Sequence, residues 1–224
     1  MMILEHHGTM LSPYLPKLMG FCREDTTQRL GVVYDLESVD VLENLFDEEI
    51  FRWHRRIKAA LGLAKILEHF HGNQPRYLIR DFSTAHVMIG KDHNPVLFNF
   101  FGIIGGVIGE KIKGNDLMGW RALGSLRYMD FNIVNSETWK EDMDVYSFGI
   151  ILTELIRKRI NLEDRKQVSK LAMQCGTMFP VKSPNAKEIV EKLNEMRIVK
   201  RPPCRRRPPM GARERHCRWL ACVL

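Results

Sequence analysis

The sequence predicts a mixed α+β domain, a short antiparallel hairpin leading into a mostly helical body. Three observations carry this. Residues 15–22 and 30–36 are short apolar runs rich in β-formers, parted by the polar stretch 23–29, as in a hairpin. Apolar side chains recur at Trp53, Ile57, Ala60, Leu61, Ala64, Leu67 and Phe70, the three-and-four spacing of a helix with one buried face. From Met143 to Ile156 almost every position is apolar or small, which predicts a helix buried on nearly all sides.

Between those helices, residues 80–100 read as loop, strand, turn and strand, with Lys91-Asp92-His93-Asn94-Pro95 as the turn. Pro184 to Met196 is a last amphipathic helix with Asn185 near its start. The 224 residues are 45% apolar and 27% charged, which suits one ordinary globular domain and excludes a disordered chain. The net charge of +7 is local. Residues 197–224 carry nine of the 34 Lys and Arg and one of the 27 acids, so the tail is +8 and the body −1. The tail, with Pro202-Pro203 and Arg205-Arg206-Arg207 at its centre, is expected to be solvated and disordered. Nonspecific attraction to anionic lipid or RNA is its alternative reading, and no specific nucleic-acid motif accompanies it.

Five cysteines without a C-x-x-C pair fit a reducing, intracellular setting. The start meets Glu5 after Met2, Ile3 and Leu4, too soon for a signal-peptide core. The weakly polar run Val96 to Gly109 falls short of the roughly 18 to 20 residues of a spanning helix. No membrane span is expected.

The motifs line up with a family. Trp53 to Ile57 through His71, then Ile79-Arg80-Asp81, Val96 to Phe100, Gly124-Ser125-Leu126-Arg127-Tyr128 and Asp144 to Gly149, resemble the lower lobe of a plant receptor-like protein kinase. The chain is most similar to the wall-associated-kinase-like and receptor-like cytoplasmic kinases, including their non-functional pseudokinase subgroup. The resemblance covers roughly residues 12 to 195, and the 18-residue gap from Asp81 to Asn99 matches that family's catalytic-loop spacing. It implies a protein-kinase-like fold, mainly the helical lower lobe with a residual hairpin of the upper one. The implied division is 1–38 for the remnant upper lobe and hinge, 39–196 for the lower lobe and 197–224 for the tail.

Phosphoryl transfer relies on positioning and on neutralising phosphate charge. The resemblance puts Asp81 at the place of the catalytic base and Arg80 beside it, where it binds a phosphorylated activation segment or a local acid. It puts the two magnesium ligands at His86 and Asn99, and Ser83 where such kinases carry a lysine. Magnesium prefers carboxylate and other oxygen ligands, so an imidazole and a neutral amide are poor replacements. Asp81 is read as vestigial. The glycines at 102, 105, 106 and 109 do not form a phosphate-cradling G-x-G-x-x-G, and a Gly-rich loop with its lysine is not found ahead of the hairpin.

A further ion pair of the family is missing at both ends, its sites being Asn132 and Ser183. Asp144 is kept, and the resemblance gives it a structural role, accepting hydrogen bonds from the catalytic loop. The expected function is that of an inactive pseudokinase that binds other proteins, by resemblance plant immune receptors or active receptor-like kinases. No cofactor is expected. The location is cytoplasmic, with peripheral attachment to the plasma membrane as a variant. The alternatives are an active Ser/Thr kinase using ATP and Mg2+, whose upper lobe lies outside this chain, or a non-functional gene fragment.

Overall fold

The computed structural model describes residues 15–24, 29–73, 76–98, 104–105, 126–130, 140–157, 162–176, 183–196, 199 and 217–223. In chain order the strands are β1 (Lys17–Glu24), β2 (Arg29–Val41), β3 (Tyr77–Leu78), β4 (Val87–Gly90), β5 (Pro95–Leu97), β6 (Ile104–Gly105) and β7 (Cys217–Val223). The helices are α1 (Leu42–Leu45), α2 (Trp53–Gly72), α3 (Glu141–Leu155), α4 (Leu162–Cys175) and α5 (Ala186–Glu195).

β1 and β2 form the antiparallel hairpin, with Lys17 opposite Asp35 and Glu24 opposite Arg29. In β2, Tyr34, Leu36 and Ser38 are buried while Asp35 and Glu37 are exposed, the period-2 pattern of a strand with one face on a core. The strand runs on to Val41, where it pairs with Met88 of β4. The domain boundary expected after residue 38 therefore falls inside a strand, because one sheet, ordered β1-β2-β4-β5, draws on both sides of it. The turn from β4 to β5 places His93 at φ 59°, and Gly90 N–H closes it on the Asn94 carbonyl. Tyr34, Leu36, Met88 and Val96 make a small apolar cluster on this sheet.

The larger core belongs to the helices. Leu63, Ile66, Leu67 and Phe70 of α2 pack with Phe148, Ile151 and Leu152 of α3, with Val168, Leu171 and Cys175 of α4, and with Ile189 and Leu193 of α5. Two glycines set the closest approaches. A Cβ at Gly62 would lie 2.3 Å from the Pro95 ring, and one at Gly149 would lie 2.7 Å from the Gly176 nitrogen. Asn185 caps α5, its Oδ1 accepting the Glu188 N–H at 2.9 Å.

Three elements differ from expectation. α4 was not anticipated, although Val168, Leu171, Ala172 and Cys175 carry helical spacing, because its lysines and glutamines mask a narrow apolar stripe. The short β3–β6 pair was also missed. The tail expected to be disordered contributes β7, which lies antiparallel to β2 with Gly31 opposite Val223 and Ser38 opposite Cys217. Six of the seven β7 residues are apolar, a strand signal that the surrounding arginines obscured.

Candidate functional site

The candidate site is the loop of residues 79–86, between β3 and β4. Ile79 and Phe82 are fully buried and root it in the helical core, with the Phe82 ring stacked on Phe148 at 6.5 Å between centroids. Between them Arg80 sits at φ 60°, a left-handed backbone that costs a non-glycine residue about 1 to 2 kcal/mol. Asp81 N–H closes onto the Ile79 carbonyl at 2.7 Å, making a three-residue γ-turn centred on Arg80.

Asp144, fully buried on α3, meets this strained turn. Its Oδ1 accepts the Arg80 N–H at 2.9 Å, and its Oδ2 accepts the Ile79 N–H at 2.8 Å. His71, at the end of α2, places Nε2 3.0 Å from the same Oδ2. A carboxylate only accepts, so His71 Nε2 carries the proton. One side chain thus joins α2, α3 and the loop.

Beyond Arg80 the loop closes on itself. His86 Nδ1 lies 3.1 Å from Asp81 Oδ2, 3.1 Å from the Asp81 carbonyl and 3.2 Å from Ser83 Oγ. Two of these three are acceptors, so Nδ1 carries the hydrogen and shares it among them. Ser83, His86 and Asp81 therefore do not form a nucleophile–base–carboxylate relay, which needs the serine and the acid on different ring nitrogens. Burial pushes the Asp81 carboxyl up from its ordinary value, and the His86 charge pulls it partly back.

A second network ties the loop to residues 126–130. Tyr128 O–H donates to Glu154 Oε2 at 2.6 Å, so the Thr84 hydroxyl, 2.7 Å away, must donate to Tyr128. Arg127 pairs with the other Glu154 oxygen at 2.6 Å, and Ser147 Oγ donates to the Tyr128 carbonyl at 2.7 Å. Burial and the Glu154 hydrogen bond push the Tyr128 phenol up to about 12.

Of the site residues expected from sequence, Arg80, Asp81, His86 and Asp144 come together around this loop. Asn99 lies outside the described residues, as do Gly102, Gly106, Gly109, Gly124, Ser125 and Asn132. Sequence reasoning missed Thr84, Tyr128 and Glu154 as one network, and His71 as a partner of Asp144. No local signal marks them, since 44 residues separate Thr84 from Tyr128 and 73 separate His71 from Asp144. A surface pocket of about 370 Å³ between α4 and α5, lined by Lys170, Gln174, Lys192 and Glu195 among others, involves none of the loop residues.

Among the described residues the loop offers a magnesium ion a single carboxylate. The one carboxylate of the loop faces an imidazole N–H, and among the described residues no three His, Cys, Asp or Glu side chains converge.

Residues 4–206 match the family described as protein tyrosine and serine/threonine kinase. Among curated proteins, an EPD1-interacting receptor-like cytoplasmic serine/threonine-protein kinase of Nicotiana benthamiana is 32% identical over 165 residues, 72% of this chain and 34% of the relative. The probable serine/threonine-protein kinase PBL9 of Arabidopsis thaliana is 33% identical over 158 residues, 68% of this chain and 37% of that protein. Receptor-like cytoplasmic kinase 176 of Oryza sativa subsp. japonica is 32% identical over 164 residues, 71% of this chain and 40% of that protein. The chain spans a third to two fifths of the length of these relatives. It belongs to the protein tyrosine and serine/threonine kinase family, with plant receptor-like cytoplasmic kinases as its homologues.

Proposed function

We propose that this chain is a catalytically inactive member of its family that acts by binding other proteins. The observation that carries the reading is the contact of His86 Nδ1 with Asp81 Oδ2. An imidazole at the place of a metal-binding amide gives a hard cation no oxygen, and it occupies the carboxylate that would accept a substrate proton. Asn99 at the place of the second metal ligand supports the same reading.

Within the family we place the chain with the pseudokinase subgroup and keep its wall-associated-kinase-like character as part of the proposal. Active receptor-like kinases and plant immune receptors are the proposed partners, and the cytoplasm, or the inner face of the plasma membrane, the proposed location. No described helix is long and apolar enough to cross a membrane.

The test is thermal unfolding with and without Mg-ATP, run beside a phosphate-incorporation assay on a generic basic substrate. The expected result is no shift in Tm and no incorporation. A saturable Mg-ATP shift would sink the proposal. The rival, an active Ser/Thr kinase, draws on the retention of Asp81 and on relatives named as serine/threonine-protein kinases. It requires incorporation that disappears in Asp81→Asn.

A further inference from the structure

The sheet topology assigns the tail a place. A strand has two edges, and β2 is opposite β1 and β7 over the same residues, 31–35. Ser38 is opposite both Gly90 of β4 and Cys217 of β7. It follows that β1 and β4 share one edge of β2, while β7 runs along the other, from Gly31 to Ser38. That edge belongs to a strand whose residues 32–36 are Val, Val, Tyr, Asp and Leu. Left bare, such an edge would present a row of unpaired backbone N–H and C=O groups to any extended chain, and the partner most concentrated around it would be a second copy of the same protein. A two-fold dimer would then form by pairing β2 with its own equivalent, since an antiparallel strand pair is self-complementary.

We propose that Cys217–Val223 is a resident strand that closes this edge in cis and holds it against strand addition by a second copy. The segment is suited to it. Cys217, Trp219, Leu220, Ala221, Cys222 and Val223 leave Arg218 as the only charge of the segment, and the strand register pairs six of the seven residues with β2. The inference is independent of whether the chain transfers phosphate.

The register supplies the experiment. Because Cys217 is opposite Ser38, the Ser38→Cys variant of the full chain under mild oxidation should form a 38–217 disulfide within one chain, seen as a monomer on a non-reducing gel and located by peptide mapping. Val32→Cys should do the same with Cys222. Val39→Cys, which has no partner in that register, should not link to Cys217. Absence of both linkages, or linkage only between chains, overturns the proposal. Deleting residues 217–224 is expected to at least double the solution mass measured by light scattering, and a synthetic peptide of residues 213–224 should return it to that of a monomer. A deleted chain that folds and stays monomeric also overturns it. The cross-link decides the matter even if the deleted chain does not fold.

Discussion

Asp144, on α3, and Asp81, within the loop of residues 79–86, meet at the Arg80 turn, and they are held in opposite ways. Asp144 is fully buried and accepts from two adjacent backbone N–H groups of the loop and from His71 of α2. Asp81 is partly exposed, and its side-chain oxygen meets His86 from the same loop, five residues away. The first carboxylate organises the fold and could not be replaced without stranding donors. The second is held by the imidazole of its own loop, an arrangement that satisfies the loop locally. The difference teaches that a carboxylate held from distant elements fixes the fold, while one held from within its own loop fixes only that loop.

The largest expected effect breaks the Asp144 side. Asp144→Ala strands the Ile79 and Arg80 N–H groups and the His71 ring, and it removes what holds the left-handed Arg80 turn. Three stranded donors at about 1 kcal/mol each, the low end of the range, predict a loss of roughly 3 kcal/mol or more in denaturant unfolding. A loss under about 1 kcal/mol would show that the loop does not depend on this helix.

An intermediate effect is expected from Tyr128→Phe, which leaves Glu154 Oε2 and the Thr84 hydroxyl without their shared partner. The cost should be about 1 to 3 kcal/mol. Adding Thr84→Val should cost less in that background than alone, and strict additivity would remove the relay from the account. In the unsubstituted protein the Tyr128 phenol should not ionise in an ultraviolet titration until about pH 12.

The smallest effect sharpens the Asp81 side. Burial raises the Asp81 carboxyl above its ordinary 3.8, so the folded protein holds that proton more tightly than the unfolded chain does. The stability linked to it is complete below 3.8 and is lost as pH rises through the raised value. Asp81→Asn has no such proton, so wild type should lose stability relative to the variant across that window. A difference that stays flat with pH would place Asp81 in a more aqueous setting than its burial suggests.

The hairpin, the long helix α2, the buried helix α3 and the strand–turn–strand of β4 and β5 were all legible, because β2 and α2 write the period of one buried face into their residues while α3, β4 and β5 are largely apolar runs with polar or turn residues at their ends. α4 was harder to see, since Val168, Leu171, Ala172 and Cys175 form only a narrow stripe among polar neighbours. β7 was hidden by context, an apolar run within a tail whose net charge drew attention to its arginines. Among the site residues, Asp81, His86 and Asp144 were found through motif spacing. The partners that hold them were not, since His71 and Glu154 resemble any other polar residue of a helix until the helices pack.

By itself, then, the sequence determined the α+β class and the family, both of which depend on residue type and spacing along the chain. Only the tertiary structure decided that His86 turns onto Asp81, that Tyr128 joins Thr84 to Glu154, and that the basic tail ends as a strand on β2. Each of these is a contact made across space. Hydrogen-bond geometry and strand edges exist only after the chain has folded, and no one-dimensional pattern encodes which distant donor will reach which acceptor.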